Sequence, residues 1–157
     1  MAIQPLGGRT TYLSDLVPSG YKGIPWLTLA PEYRLDRNVA GGPLVVAKER
    51  AIKGLGMHGA ARITYDLRPG DATFAARVGI DSSVGNVGRA VCRVYGDDGS
   101  GEWKALRETG VLRGGAEDEQ VRLDIVGLKR LSLLVDFGPD DDAGDDVDWL
   151  DARLISK

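Results

Sequence analysis

The residues with the clearest chemical potential surround the only histidine of the chain, His58. Gly54, Gly56 and Gly59 fall within six residues around it, and glycine permits unusual backbone angles and close approach of another group. The imidazole can both donate and accept hydrogen bonds. Because the alternating stretch 62–67 follows directly, we interpret the run as a binding loop at the end of a β-strand. The alternative is a turn histidine whose hydrogen bonds are satisfied by the backbone.

A second set of candidate ligand residues lies in a stretch rich in proline and glycine between positions 21 and 43. These residues interrupt any helical period, so the stretch is predicted to be a long surface loop with one short strand near 27–29. Loops of this length usually carry function when they are ordered. The candidate side chains of this loop are Trp26, Tyr33, Arg34, Asp36, Arg37 and Asn38.

The sequence contains no recognisable machinery for catalysis. His58 has no nucleophile motif beside it, and Cys92 lies in a predicted strand, where a buried, inert thiol is expected. One histidine and one cysteine are too few for the common zinc ligand sets, and no glycine motif for phosphate binding precedes a helix. Aspartates are abundant, but nothing places one in the apolar pocket that a general acid requires. The chain is therefore predicted not to be an enzyme.

An acidic run near the C-terminus is a candidate metal site. Eight aspartates and no lysine or arginine lie between Asp136 and Asp151, and carboxylate oxygens are the ligands that calcium prefers. The spacing resembles an EF-hand, but Asp145 replaces the turn glycine and Asp151 replaces the bidentate glutamate. Two interpretations remain, an irregular structural calcium site that uses Asp15 or Asp151 and a solvated acidic loop.

Length and composition indicate one domain. A chain of 157 residues, 43% hydrophobic and 27% charged, can bury a single core. The net charge of -3 gives no basic surface for nucleic acid. No apolar run approaches the roughly 20 residues that cross a bilayer, so no membrane insertion is expected. Residues 1–11 are predicted to be a loosely ordered lead-in, and residues 12–157 a single domain.

After Pro43 the hydrophobic pattern has a period of two, which is typical of half-buried strands. Turn sequences separate these strands at intervals of roughly 8 to 12 residues, and the 22 glycines are about twice the usual share. The pattern predicts an all-β fold, an antiparallel β-sandwich. The alternating apolar positions are Ile63, Tyr65 and Leu67; Phe74, Ala76, Val78 and Ile80; Val121, Leu123 and Ile125; and Leu131, Leu133, Val135 and Phe137.

The last predicted strand has two faces of different character. Strict alternation places Leu150, Ala152 and Leu154 on the apolar face. It places Trp149, with Asp151 and Arg153, on the other, where an indole beside a carboxylate and a guanidinium indicates a structural cluster or a binding surface.

One ordered series of segments runs from Tyr12 to Leu154. It consists of Tyr12–Leu16, Lys53–His58, Tyr65–Leu67, Phe74–Asp81, Gly88, Val94–Tyr95 and Asp148–Leu154. In this order the segments resemble the NPCBM domain family, which is related to carbohydrate-binding module family 51. The resemblance implies a jelly-roll, galactose-binding-like sandwich without catalysis, in a larger secreted or surface protein, and hence an extracellular, periplasmic or cell-surface location. The chain has Gly59 and Asp146 at two positions where that family commonly has other residues.

The candidate side chains suit a sugar. Sugars present apolar C–H faces and a rim of hydroxyls, so their sites combine an aromatic ring with planar polar groups. Together with the loop residues named above, His58 and Asp146 are predicted to form a shallow glycan site, with galactosides among the expected ligands. The alternative function is a protein-interaction or cell-surface assembly sandwich that has lost sugar binding.

Overall fold

The computed structural model describes residues 8–23, 33–137 and 146–157. Within them, two antiparallel sheets face each other across one core, so the predicted antiparallel β-sandwich is confirmed. None of the helical segments in these ranges has the length and apolar character that a membrane crossing requires. The short strand predicted near residues 27–29 lies outside the described residues.

The first sheet has the order β12-β8-β14-β6-β3, and β1 pairs with the far end of β14. β1 begins at Thr10, within the predicted lead-in, and is followed by a 3-10 turn, Leu13–Asp15. The strands of this sheet are β1 (Thr10–Tyr12), β3 (Arg34–Leu35), β6 (Gly54–His58), β8 (Asp71–Ile80), β12 (Glu119–Asp124) and β14 (Asp146–Ser156).

The second sheet has the order β10-β9-β13-β7-β2, and β11 pairs with β9. Its strands are β2 (Gly20–Gly23), β7 (Ala61–Asp66), β9 (Arg89–Asp97), β10 (Lys104–Glu108), β11 (Leu112–Arg113) and β13 (Arg130–Phe137). Cys92 lies in β9 with its side chain fully buried, as predicted, and burial raises the pKa of its thiol well above the ordinary value. A second 3-10 segment, Ser82–Val87, follows β8.

A short hairpin packs on the outer face of the first sheet. Its strands are β4 (Leu44–Val46) and β5 (Glu49–Ala51). Its apolar side chains form a small second cluster with Leu150 of β14, separate from the main core. We call residues 36–51, which include this hairpin and the chain leading into it, the covering segment.

The side chains of β14 do not alternate strictly between the two faces of the sheet. Trp149 belongs to the main core together with Ala152 and Leu154, and Leu150 points the other way, into the hairpin cluster. The reason is an irregularity at Asp151, which has a positive φ of 53° and lies where the pairing of β14 with β8 shifts register. A bulged residue reverses the alternation of the residues that follow it. The prediction that Trp149 lies opposite Ala152 and Leu154 was therefore wrong.

Glycine on the outer face of the first sheet makes room for the covering segment. A Cβ on Gly56 would lie 2.7 Å from the Cα of Asn38 and would also meet the carbonyl oxygen of Arg37. A Cβ on Gly79 would meet a methyl group of Val46. Gly56 and Gly79 therefore serve close packing of the chain on itself.

We expect Gly56→Ala to lower the free energy of unfolding by about 1–3 kcal/mol, because the added methyl group forces the covering segment off β6. Gly110→Ala is the matched control, since a Cβ there meets nothing within 4 Å. Urea denaturation of both variants measures the difference. Equal stability of the two variants would show that the covering segment does not pack on Gly56 as described.

Candidate functional site

His58 and Asp146 form a cross-strand pair at one end of the first sheet. His58 is the last residue of β6 and is the register partner of Asp146, the first residue of β14. The distance from His58 Nδ1 to Asp146 Oδ1 is 2.5 Å. The imidazole is 36% exposed and the carboxylate 20% exposed. The structure thus brings together two of the predicted ligand residues at the surface.

The carboxylate orients the imidazole. When Nδ1–H donates to Asp146, the neutral ring carries its lone pair on Nε2, which is then a hydrogen-bond acceptor. The second carboxylate oxygen also accepts. A pair of this kind can hold hydroxyl groups, which both donate and accept hydrogen bonds.

A strand that carries predicted ligand residues lies beside His58. β3 pairs with β6, with Arg34 opposite Gly56, so Tyr33 lies next to the position of Met57. Tyr33 is half-buried and packs on Tyr21, with ring centres 5.0 Å apart. Its ring is therefore only partly available to a ligand. Trp26, the other predicted aromatic ligand, lies outside the described residues.

Arg34 and Arg37 present guanidinium groups at the surface on the same side. Arg34 donates from Nε to the carbonyl of Val39 at 2.9 Å, and Arg37 donates to the carbonyl of Gly41 at 3.2 Å. Within the described residues neither has an acidic side chain as an ion-pair partner. Both retain N–H donors for a ligand because each guanidinium has five.

Asp36 and Asn38 are engaged within the protein. Asp36 accepts from Lys53 Nζ at 2.9 Å and from the backbone N–H of Gly54 at 3.0 Å. Burial would raise the pKa of Asp36, but these hydrogen bonds outweigh it and hold the pKa below its usual range. Asn38 is buried, and its amide donates to Asp81 and to the carbonyl of Pro43. Both side chains hold the covering segment in place.

Asp81 is a buried anchor between the covering segment and the first sheet. Its carboxylate accepts from Asn38 Nδ2 at 3.1 Å, from the backbone N–H of Ser83 at 3.0 Å and from that of Val45 at 3.4 Å. Burial would raise its pKa, but hydrogen bonds, with Asp148 and Ser83 foremost, lower it below the ordinary value. Asp81 is therefore the ionised member of a buried carboxyl pair.

Asp148 is the protonated member of this pair. It is fully buried, and its two oxygens make no hydrogen bond of ordinary geometry within the described part of the chain. Burial, and then the neighbouring Asp81 carboxylate, raise the pKa of Asp148 to about 10. At neutral pH the group therefore carries a proton that it can direct towards Asp81.

The two predicted metal ligands are held in separate ion pairs. Asp15 accepts from Lys53 Nζ at 2.7 Å, and Asp151 accepts from Arg77 Nη2 at 2.7 Å. Each carboxylate already has a cationic partner, so the two do not fit a shared calcium site. The described ranges contain no group of three or more His, Cys, Asp or Glu side chains that could hold a metal ion. Residues 138–145 of the acidic run lie outside those ranges.

Sequence reasoning missed the structural roles of Asp81 and Asp148. Asp148 stands between Val147 and Trp149 in an otherwise apolar strand, and a lone carboxyl group there is a detectable signal of burial. The partner could not be found in the same way, because Asp81 is distant in sequence and lies at an apparent turn.

Comparison with known proteins assigns the family. The sequence profile of the NPCBM/NEW2 domain matches residues 9–155. The chain belongs to the NPCBM/NEW2 domain family. The predicted resemblance is confirmed, and it places this NPCBM domain in a family of carbohydrate-binding modules.

Two solved structures from Clostridium perfringens are similar to this NPCBM domain over most of its length. The CBM51 of GH95, in complex with methyl-galactose, is 25% identical with a TM-score of 0.82, over 93% of this chain and 99% of that one. The CBM51-2 and INT domains of ZmpB, in complex with GlcNAc, are 29% identical with a TM-score of 0.81, over 94% of this chain and 32% of that one. These similarities confirm the galactose-binding-like sandwich.

One similar protein sequence is much longer than this NPCBM domain. A Renibacterium salmoninarum protein, provisionally named endo-alpha-N-acetylgalactosaminidase, is 28% identical over 149 residues. The matched region is 94% of this chain and 10% of that protein. In that relative the NPCBM-like region is thus a small part of a large chain.

We expect Asp148→Asn to make stability less dependent on pH. The unfolded chain loses the Asp148 proton near pH 4, whereas the folded chain keeps it to about pH 10. Between these values the unfolded state binds fewer protons, so stability of the wild type falls as pH rises, by on the order of 1 kcal/mol per pH unit. Asparagine retains a donor towards Asp81 and does not titrate.

Urea denaturation at several pH values from 5 to 9 measures this effect. The variant is expected to gain stability relative to the wild type as pH increases. Asp66→Asn, at an exposed position of β7, is the control and should leave the slope unchanged. Parallel pH profiles for the wild type and Asp148→Asn would contradict a protonated Asp148.

Proposed function

We propose that this domain is a noncatalytic carbohydrate-binding module that holds a glycan at the His58–Asp146 pair. The observation that carries the proposal is the pair itself, an imidazole fixed by a carboxylate 2.5 Å away and left partly exposed at the end of a sheet. The pair offers hydrogen-bond acceptors to sugar hydroxyls. Binding through hydrogen bonds is the chemistry that this pair supports best.

The neighbouring strand supplies complementary donors. Arg34 exposes its guanidinium group, and its pairing with Gly56 of β6 keeps it on the side of the sheet that carries His58. Arg37, which follows β3, is also exposed. Sugar hydroxyls can accept from these groups while they donate to the His58–Asp146 pair.

We propose a neutral pyranose as the ligand class, with galactosides and N-acetylhexosamines the first to test. The similar modules named above were solved with methyl-galactose and with GlcNAc. A shallow site that offers a few hydrogen bonds, each contributing about 0.5–1.5 kcal/mol, gives affinities in the micromolar to millimolar range.

The second candidate function is a protein-interaction or surface-assembly module without sugar binding. It is favoured by the engagement of predicted ligand residues inside the protein, since Asn38 is buried and Tyr33 is packed on Tyr21. Binding of glycans by the wild-type domain decides between the two functions.

The proposed setting is a larger secreted or surface protein that acts on glycans. The relative in Renibacterium salmoninarum supports it, because this chain matches only 10% of that protein. In such a protein the domain would concentrate the rest of the chain on glycan surfaces.

His58→Ala is expected to reduce the affinity for methyl β-galactoside or GlcNAc by about tenfold or more, because it removes both the ring and the orienting role of Asp146. Asp146→Asn should cause a smaller loss, since an amide oxygen can still accept from Nδ1–H. Isothermal titration calorimetry measures both.

Arg122→Gln is the matched surface control, because Arg122 lies at an exposed position of β12. It pairs in register with Ala75 of β8, far from Ile80, the β8 residue that pairs with Val147 next to Asp146. It should bind like the wild type. An absence of binding by the wild type across a broad glycan array, galactosides included, would favour the interaction module instead.

Calcium binding stays a prediction with a direct test. An ion that binds only the folded state stabilises it, by about 2.7 kcal/mol when the free ion is at a hundredfold excess over its dissociation constant, and so raises the melting temperature. Thermal melts with calcium and with chelator measure this effect, and Asp15→Asn and Asp151→Asn show whether the predicted ligands contribute. Identical melting curves with calcium and with chelator would contradict the prediction.

A further inference from the structure

A polar cleft lies on the outer face of the second sheet, on the other side of the sandwich from His58. Its volume is about 370 Å³, and its walls come from β2, β7 and β13 together with Trp103 of the β9–β10 connection. The proposed function makes no use of this cleft or of Trp103. The side chains that matter for its chemistry are Lys22, Arg62, Thr64, Trp103 and Arg130.

Trp103 is held over the sheet by two guanidinium groups. The Cζ atoms of Arg62 and Arg130 each lie 4.5 Å from the centre of its ring, and Arg62 also lies 5.4 Å from that of Tyr95. Stacking of guanidinium on aromatic rings is favourable but leaves the in-plane N–H groups available for other partners. The rings therefore fix the direction in which these N–H groups point.

The two arginines differ in how their charge is compensated. Arg130 donates from Nε and Nη2 to the buried carboxylate of Asp97, at 2.9 and 2.5 Å. Arg93, farther across the same face, pairs with Asp136 at 3.1 Å and with Glu108 at 3.3 Å. Arg62 has no acidic partner within the described chain, and its Nη2 is buried without a hydrogen bond there. A buried N–H group in this condition destabilises a fold unless something binds it.

A second cation adds to the uncompensated charge. Lys22 of β2 is the direct register partner of Arg62, and like charges directly opposite each other on neighbouring strands are unfavourable. Asp66, the acidic residue of the cleft lining, lies four positions farther along β7 than Arg62 and pairs in register with Arg130. An anion placed between Lys22 and Arg62 would relieve their repulsion and satisfy the buried N–H group.

We propose that this cleft is a second glycan site, selective for a saccharide that carries an anionic group, a carboxylate or a sulfate ester. The anionic group binds Arg62 and Lys22, and the sugar ring lies against the edge of Trp103. The hydroxyl of Thr64, 2.7 Å from that of Ser132, lies in the same outward row as Arg62 and offers a hydrogen bond to a ring hydroxyl.

The walls favour a saccharide over a peptide. β7 is paired on both sides, with β2 and with β13, so its backbone groups are already used in the sheet. Recognition in the cleft must therefore come from side chains, and these combine an aromatic ring, a hydroxyl and guanidinium groups. This combination matches a ring with an apolar face, hydroxyls and one charge.

Calorimetry with matched pairs of charged and neutral sugars tests the proposal. The charged probes are methyl β-glucuronide, methyl α-N-acetylneuraminide and galactose 6-sulfate, and the neutral probes are methyl β-glucoside and galactose. At least one charged probe is expected to bind about tenfold or more tightly than its neutral counterpart, and its affinity should fall as salt increases. The type of charged probe that binds distinguishes a carboxylate ligand from a sulfate ligand.

Variants locate the binding. Arg62→Gln and Trp103→Ala are each expected to lower the affinity for the charged sugar by about tenfold or more. Arg93→Gln is the control and should not lower it, because Arg93 is already ion-paired on the same face. His58→Ala should leave this binding unchanged, so failure of the proposal is separable from failure of the glycan site at His58. If Arg62→Gln is destabilised, the shift of the Trp103 indole N–H resonance on titration of the wild type gives the same information.

Three results would overturn the proposal. The first is the absence of any preference for charged over neutral sugars. The second is loss of charged-sugar binding in His58→Ala with no effect of Trp103→Ala. The third is equally tight, Arg62-dependent binding of a polyglutamate peptide, which would identify the cleft as a site for acidic proteins.

Discussion

Part of the outer face of the first sheet is buried under the covering segment, and a buried carboxyl pair lies between that segment and the sheet. Asp81 accepts hydrogen bonds from Asn38, Val45 and Ser83, while Asp148 remains protonated beside it. Two ionised carboxylates in this position would repel each other without solvent to screen them. Through its hydrogen bonds to Asn38 and Val45, Asp81 links the covering segment to the sheet, and the protonated Asp148 lies beside it without charge repulsion.

This arrangement separates structural polar groups from those available to a ligand. Asp36 and Asn38 make their hydrogen bonds within the protein, to Lys53 and Gly54 and to Gly42 and Asp81, and Gly56 lets the covering segment approach β6 closely. His58 and Asp146 lie on the next positions of the same outer face, beyond the cover, and remain partly exposed. A rigid, buried polar layer next to an open pair is well suited to weak but specific binding, because little has to be ordered when the ligand arrives.

Much of the fold could be predicted from the sequence because its signals are local. The alternation of Ile63 and Tyr65 with polar residues is read directly in β7, and the burial of Cys92 follows from its apolar neighbours. The facing of Trp149 could not be predicted, because it depends on the irregular backbone at Asp151. Asn38 has a side chain that could bind a sugar, but it is buried and donates to Asp81, which is distant in sequence. Composition identifies candidate side chains, and only tertiary packing shows which of them face solvent.

The most direct test of the account is to map the neutral-sugar site by two-dimensional NMR during titration of the labelled domain with methyl β-galactoside and with GlcNAc. The account predicts that the largest chemical-shift changes fall on His58, Asp146 and the neighbouring residues of β3, and that the Trp103 indole signal stays in place. Shift changes centred on another surface, or none at saturating sugar, would contradict the assignment of glycan binding to the His58–Asp146 pair.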